Sequence, residues 1–556
     1  MLKDAGEIFE FFKEKETDEF SAVWERMEKD YELWDMDENS VVNAYDADVR
    51  TKTKAHPSDI SIISNDHRID SNDIDTILSS AEMQIRAKMA EEEGVTNQVE
   101  IGKGKLERLI DFAFEKADER LINILQPPLR ETNSWYVTKR GWTANRVLVY
   151  KGKDGTVVFD IIPLDPIQLV YEIGEEGLLQ VAYKYYKPGI ALKNKYGYTD
   201  GKKYNNPVID YWEFEGERKI SNLVVTADKI LKPRKVHKLR SIPISIIPVP
   251  IRPPIAGKGG ESDGIRLRGY GDSIFASIRN INAVSNRFAS IIANQAALLA
   301  RVPTVNYKTA KGRPIENAFD VPGGVLELDM NENRIEPYPL KEVSPTVVNM
   351  FTWLNNQKSH GLMPNLPMES PPSSGTRFAL ALSEANKTFN PQLRALTYAY
   401  MNICRMIEEQ LIDGGIKVKV SGIESNKYYE VDITPVDLKK PHKINIEFTA
   451  RTSWSQQETA QLADMLLRQG VPKRWVWENV YKFQDPKLMD DLEALEVYDN
   501  SPTGVMERIA DALVRVRPDM KAHQTIVGEM DRMEAETQQG ASPQGAPPPA
   551  GMPGMM

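Results

Sequence analysis

Apolar residues recur at intervals of three and four along a stretch in the middle of the chain. They stand at Ile274, Ile278, Ile281, Val284, Phe288 and Ile292. This spacing predicts a helix, with Asp272 or Ser273 as its N-cap and Pro303 just beyond its end. Only two residues within it are ionised, Arg279 and Arg287. About 28 helical residues would form a rod roughly 42 Å long with a broad apolar face.

A second rod follows after a short β region. Residues 302–342 contain short apolar runs between turn residues, which predicts strands and turns. Ser344 then stands as an N-cap before Pro345, and Gly361 stands where a C-cap belongs. The apolar face of this helix would be made of Val347, Val348, Phe351 and Leu354. The pattern therefore predicts two helices with a small β module between them.

The N-terminal half changes from a helical to a β period, which favours an α+β fold. Residues 1–125 have helix-period apolar positions between acidic loops, and the stretch 79–125 continues the helical pattern. From 134 to about 255 the period becomes two, with a Lys-Asp-Gly hairpin turn at 153–155. The basic run 229–240 could contact nucleic acid, but it is predicted to be an edge strand, because lysines on an edge discourage aggregation.

The C-terminal part returns to helix. A long helical pattern covers 377–413, where Pro391 either kinks or restarts the helix. Residues 416–449 have a β pattern. Ser455 begins a capping-box motif, and Gly470 stands as a C-cap. This part is therefore predicted to be mainly helical.

Composition narrows the class of protein. The 556 residues are 41% hydrophobic and 27% charged, enough for a substantial core. The single cysteine, Cys404, excludes a disulfide framework and is expected to be buried among apolar neighbours. A net charge of −10 indicates a protein that either avoids nucleic acid or must avoid holding it tightly. We expect no targeting segment and no membrane span.

Catalytic motifs are not found at their required spacings. The run GKGGESDG (257–264) lacks the Gly-Lys-Ser/Thr ending of a phosphate-binding loop. The calcium-loop-like run 329–333 is followed by Arg334 where glycine is needed. The acidic runs 34–39 and 67–78 are expected to be solvated loops, and the six histidines show no zinc spacing. We therefore expect a non-enzymatic protein without a metal or cofactor.

The order of several stretches along the chain is informative. Gly271-Asp-Ser273 opens the first rod and Arg301-Val-Pro303 closes it. The β region ends in GGVLELD (323–329), and the second helix and a Pro-rich loop lead to SGTRFALALSEANKTFNPQLRALTYAYMNICRMIEEQLI (374–412). Upstream, DIIPLDPIQLVYEI (160–173) has a strand followed by an Asp-Pro turn. This succession resembles the portal proteins, or head–tail connectors, of tailed bacteriophages.

The resemblance covers roughly residues 20–500. It implies a subunit of a closed ring of about twelve copies around a channel for double-stranded DNA. Its parts would be a wing (1–270 and 377–450), a stem of two helices (271–301 and 343–360), a clip (302–342), a channel loop (361–376), a helical crown (451–539) and a disordered tail (540–556).

The resemblance also assigns residues to these parts. The stem residues would be Ile274, Ile278, Arg279, Ile281, Arg287, Phe288, Ile292 and Phe351. The clip residues would be Lys308, Lys311, Arg313 and Glu316. The channel-loop residues would be Leu362, Met363, Pro364, Asn365, Leu366, Pro367, Met368 and Glu369. Within this loop the apolar side chains would give DNA a smooth surface, and the glutamate would repel phosphates.

The implied partners are those of DNA packaging. The clip would meet the terminase large subunit during packaging and a head–tail adaptor afterwards. The ring would also contact the major capsid and scaffolding proteins. It would lie at one capsid vertex of the virion after assembly in the host cytoplasm, without contact with a membrane.

Two other functions remain open. One is a virion or scaffold component that forms no DNA channel, which the helix–β–helix order disfavours. The other is a metal-dependent nucleic-acid enzyme, which would need clustered carboxylates beside a basic groove.

Overall fold

The computed structural model is a mixed α and β protein with two compact units. Unit 1 comprises residues 1–95 and 104–452, and unit 2 comprises 96–103 and 453–556. The structure describes residues 4–36, 62–89, 104–175, 177–199, 203–216, 218–227, 229–251, 270–300, 304–308, 333–337, 344–361, 375–424, 427–439, 442–449, 453–481 and scattered positions between 489 and 532.

The described helices of unit 1 range in length from 4 to 39 residues. The helices are α1 (Ala5–Lys15), α2 (Ser21–Asp35), α3 (Asp66–Ser80), α4 (Lys105–Asn123), α5 (Leu129–Lys139), α6 (Gly189–Tyr196), α7 (Arg279–Ala300), α8 (Pro345–Gly361), α9 (Gly375–Asp413) and the short α10 (Pro435–Leu438). A π-helical turn, Glu16–Phe20, joins α1 to α2, and 3-10 turns cover Pro166–Gln168 and Ile274–Ser277.

The described strands form antiparallel sheets. The strands are β1 (Glu82–Met89), β2 (Trp142–Lys151), β3 (Val157–Leu164), β4 (Leu169–Gly174), β5 (Gly177–Lys187), β6 (Asn206–Gly216), β7 (Lys219–Thr226), β8 (Lys229–His237), β9 (Ile244–Pro248), β10 (Thr304–Lys308), β11 (Asn333–Pro337), β12 (Val418–Glu424), β13 (Lys427–Ile433) and β14 (His442–Thr449). The sheet orders are β4-β5-β6-β7-β8, β3-β2-β9, β1-β14, β10-β11 and β12-β13.

The core of unit 1 lies around α9. This helix packs against β2, β9 and β14, and its side chains from Phe389 to Leu411 contribute to a cluster that also holds α4 and the adjoining strands. The side chain of Gln410 receives a hydrogen bond from Val149 N (2.8 Å) and donates one to Val147 O (2.8 Å). The Gln410 side chain thus gives hydrogen-bond partners to backbone groups of β2 that lie beyond the residues paired with β9.

Several expectations about the β region are confirmed. The hairpin between β2 and β3 contains Gly155 at φ +82°, a left-handed turn position. The basic run forms β8, which lies at the edge of its sheet, and the proline-containing β9 is also an edge strand. Cys404 is buried inside α9, and burial raises the pKa of its thiol.

Other expectations are wrong. The stretch expected to be helical from residue 79 contains β1, which pairs with β14 from Glu82↔Thr449 to Met89↔His442. Pairing with a strand that is distant in sequence therefore outweighs the local helical pattern of this segment. The acidic run 67–78 forms most of α3 instead of a loop, because His67, Ile74 and Leu78 are buried on one helical face.

Helix boundaries also differ in places. The first rod starts with the 3-10 turn, and its α-helix has 22 residues, or about 33 Å. Ser273 caps that turn by accepting a bond from Phe275 N, and α8 extends through Gly361. Thr346 N donates to Ser344 Oγ (3.3 Å), as a cap at Ser344 requires. Within α9, Pro391 does not restart the helix, because buried side chains hold both sides in the core.

Unit 2 is described mainly by two helices, α11 (Ser453–Arg468) and α12 (Lys473–Asn479). Ser455 lies inside α11, so the expected capping box there is wrong. Gly470 follows α11 at φ +83°, which confirms a glycine C-cap. Trp477 of α12 is buried, whereas Trp475 is exposed.

Candidate functional site

The paired helices α7 and α8 are the candidate functional site. They pack against each other, and Ser285 Oγ donates a hydrogen bond to Asn355 Oδ1 across the pair (2.8 Å). Between them in the chain, β10 and β11 pair antiparallel from Thr304↔Pro337 to Lys308↔Asn333. The predicted order of helix, β module and helix is therefore present.

The side of α7 that is buried within the chain is polar. Asn282, Ser285 and Asn286 are 0%, 3% and 3% exposed, whereas Ile281 and Phe288 are only half-buried. In a ring subunit the rod is expected to carry one apolar stripe for its partner helix and another for its neighbours. The stripe expected to face α8 does not form the main contact within the chain, because Asn and Ser side chains occupy that seam.

Residues 62–66 line the same polar seam. Ile62 N donates to Ser290 Oγ (2.9 Å), and Ser64 N donates to Asn286 Oδ1 (3.1 Å). The buried ammonium of Lys358 on α8 donates to Ser64 Oγ (2.6 Å) and lies 3.1 Å from a carboxylate oxygen of Asp66. One short segment thus joins both helices through backbone and charge-assisted hydrogen bonds.

A buried carboxylate fixes the start of the first rod, residues 270–279, which we call its foot. Asp30 of α2 is fully buried. It accepts hydrogen bonds from Ser273 Oγ (2.7 Å), Arg279 Nε (2.6 Å) and Arg279 Nη2 (2.9 Å). Asp272 accepts a further bond from Arg279 (3.1 Å). Burial opposes the charge on Arg279, but the two carboxylates outweigh it and raise the pKa of that guanidinium.

A second arginine ties the foot to the sheet. Arg26, also on α2, donates to the carbonyl oxygens of Tyr270 (3.3 Å), Gly271 (3.1 Å) and Arg140 (3.3 Å). Its guanidinium lies 3.5 Å from the Asp272 carboxylate. Two arginines and two aspartates therefore hold the segment before the rod against the entry to β2.

Two glycines allow this close approach. Gly141 has φ +73°, and a Cβ there would lie 2.0 Å from Gly271 O. Gly271 has φ +69°, and a Cβ there would lie 2.2 Å from Nε1 of Trp142. That indole N–H donates to Tyr270 O (2.6 Å). A side chain at either glycine would separate the two backbones.

A buried histidine completes the foot. His67 Nε2 lies 2.5 Å from Leu33 O and donates to it, while the ring meets Phe275 edge-on. Burial lowers the pKa of His67 to about 4. Its Nδ1 atom is buried and has no hydrogen-bond partner among the residues that the structure describes. The ring is therefore neutral at pH 7 and would be costly to protonate.

Large apolar side chains remain exposed on the rods. Ile291 is 43% exposed on α7, and Val348, Met350 and Trp353 are 44%, 41% and 52% exposed on α8. Exposed tryptophan and methionine on paired helices are typical of surfaces that contact another protein.

The structure brings together some of the predicted site residues and not others. Along the first rod, Ile278 is buried, Ile274, Arg279, Ile281, Phe288 and Ile292 are half-buried, and Arg287 is exposed. Phe351 is half-buried on α8, and Lys308 lies at the end of β10. The remaining clip residues, Lys311, Arg313 and Glu316, and the channel-loop residues 362–369 lie outside the described residues.

Across the described residues, no group of three or more His, Cys, Asp or Glu side chains is placed to hold a metal ion. A cavity of about 400 Å³ contains His442, whose Nε2 lies 3.0 Å from Glu408, together with Arg405 and Lys443. None of the helices searched in the described part is both long and apolar enough to span a membrane.

Comparisons with known proteins give no assignment. No protein-family model matches the chain, and no curated protein matches it at a significant level.

Proposed function

We propose that this chain is a phage portal protein, a non-enzymatic subunit of a ring through which double-stranded DNA enters and leaves a capsid. The observation that carries the proposal is the pair α7 and α8, which flanks the β10–β11 pair and keeps large apolar side chains exposed. In this assignment the pair is the stem and the β module belongs to the clip.

The division of polar and apolar surface supports assembly through the stem. Asn282, Ser285 and Asn286 are buried within the chain, so the seam between α7, α8 and residues 62–66 is already covered without a neighbour. Trp353 and Ile291 lie elsewhere on the helices and are exposed. A closed ring is built from two different surfaces of each subunit, and broad apolar rods can supply both.

The anchored foot suits a part that bears force. DNA movement would load the stem along and around the ring axis. The Asp30–Arg279 pair and the Gly141–Gly271 contact fix the start of the first rod to α2 and β2. Such buried, charge-assisted contacts would keep the rod at one angle in every subunit.

The overall charge is compatible with passage of DNA. The chain carries 70 Lys and Arg against 80 Asp and Glu. A channel dense in lysine and arginine would bind phosphates and slow the DNA. We assign the narrowing of the channel to residues 362–369, and deletion of 363–368 should impair DNA packaging while the ring still assembles. Unchanged packaging would remove this loop from the mechanism.

The stem assignment is tested by native mass spectrometry of the full-length protein and its Trp353→Asp variant. The unaltered protein should form a single closed oligomer of about twelve copies, and the variant should shift toward smaller species. Tyr398→Asp is the control, because Tyr398 is equally exposed at 52% but lies on α9. An unaltered protein that stays monomeric at all concentrations would contradict the proposal.

A further inference from the structure

One end of the β4–β8 sheet is strongly basic within an acidic chain. The segments at this end, residues 187–206 and 226–229, contain six lysines and two aspartates, whereas the whole chain has a net charge of −10. The strand pairing brings the end of β5 and the start of β8 to the same side of the sheet. Lys187 and Lys229 are therefore separated by three strand spacings, or roughly 14 Å.

An open groove lies at this end, beside α6. Its volume is about 480 Å³, and it is lined by Pro188, Gly189, Ile190, Lys193, Tyr198, Thr199, Lys203 and Tyr204. Ile190 and Tyr204 are 70% and 64% exposed. The groove thus combines flat aromatic and aliphatic walls with two lysines.

Lysine ammonium groups lie over the tyrosine rings. Lys203 Nζ is 5.1 Å from the ring centre of Tyr204, and Lys229 Nζ is 5.8 Å from that of Tyr198. Lys193 and Lys203 are both exposed, so an anion from outside can reach their ammonium groups.

The sheet beside the groove has a positive electrostatic environment. Burial is the main cause that lowers the pKa of Lys232; Lys235, Arg146 and Lys195 of α6 add to it, and Asp210 opposes it. The lysines of β8 can be explained as protection of an edge strand against aggregation. The lysines of α6 and Lys203 are not on that strand, so this explanation does not cover them.

We propose that this groove binds a single strand of nucleic acid. Bases would stack on Tyr198 and Tyr204, and phosphates would meet Lys193, Lys203 and Lys229. A positive groove with aromatic rings in its wall, here the exposed Tyr204 and the half-buried Tyr198, is the arrangement that holds single strands without base-specific hydrogen bonds. The rings favour a single strand over a duplex, whose bases are already stacked. This proposal does not depend on the portal assignment.

The test is fluorescence anisotropy of the full-length protein with a labelled oligothymidylate of about 15 nucleotides. Tyr198→Ala with Tyr204→Ala should weaken binding on the order of tenfold or more. Lys193→Glu with Lys203→Glu should weaken it further and lower the slope of log affinity against log salt by about 1.4. The matched control is Lys151→Glu with Lys153→Glu, the same charge change at the β2–β3 turn, which should leave affinity within about twofold.

Other outcomes would overturn the proposal. Equal affinity for a duplex, with no effect of the tyrosine changes, would leave only general charge attraction. Competition by polyglutamate at equal charge concentration would indicate an acidic peptide as the ligand. Native mass spectrometry of each variant establishes that the assembly is intact, so that loss of binding is not loss of fold.

Discussion

Replacing Asp30 with alanine should be one of the most damaging single changes in the described part of the chain. Asp30 is fully buried and accepts three hydrogen bonds, two of them from Arg279. The substitution leaves the half-buried guanidinium of Arg279 with one remaining carboxylate, that of Asp272 at 3.1 Å. The first rod would lose its main attachment to α2.

The loss in unfolding free energy depends on the charge of Arg279, which remains after Asp30 is removed. Removing one member of a buried ion pair costs about 3–5 kcal/mol, because the other charge stays desolvated. Asp272 compensates part of that charge, so we expect a loss near the lower end, about 3 kcal/mol. Replacing Arg279 with methionine in the same protein should recover part of the loss, since no buried charge would then lack its partner.

The assay is urea unfolding followed by tryptophan fluorescence at a fixed protein concentration. Glu25→Ala is the matched control, because Glu25 lies on the same helix and forms an exposed pair with Lys29 (2.7 Å). It should cost about 0.5 kcal/mol or less. If Asp30→Ala cost no more than Glu25→Ala, the reasoning about the anchored foot would be refuted.

Three further changes test the surroundings of the rods. Gly271→Ala should cost more than about 2 kcal/mol in thermal unfolding, because its Cβ would collide with Trp142 at a left-handed backbone position; a neutral result would contradict the close approach. His67 has a folded pKa of about 4 below its ordinary 6.5, so stability should be full above pH 6.5 and fall by up to about 3 kcal/mol as pH drops toward 4. His67→Gln should flatten that part of the pH profile, and an unchanged profile would refute the assignment. Gln410→Leu should cost about 2–3 kcal/mol by leaving Val149 N without its acceptor, measured by urea unfolding; a cost below about 0.5 kcal/mol would show that another group replaces the amide.

Local pattern was sufficient for elements whose partners are close in sequence. The two rods, the β2–β3 hairpin and the edge position of β8 follow from period, turn residues and lysine content. The strand β1 was missed although Met83, Ile85, Ala87 and Met89 alternate along it. Its partner β14 lies more than 350 residues away, and no local signal marks that pairing.

The foot of the rod could not be predicted for the same reason. Asp30 and Arg279 are 249 positions apart in the chain, and an aspartate within a helix has no pattern that marks it as buried. His67 lies in a run that composition alone makes acidic and solvated. Only the burial of one face of α3, which includes His67, reveals its environment.

The most direct test of the central claim is single-particle electron microscopy of the purified full-length protein. The account predicts an annulus in which α7 and α8 of every copy pack side by side, with Trp353 and Ile291 covered by the neighbouring subunit. An assembly without a central opening, or a ring in which these two side chains remain in solvent, would contradict it.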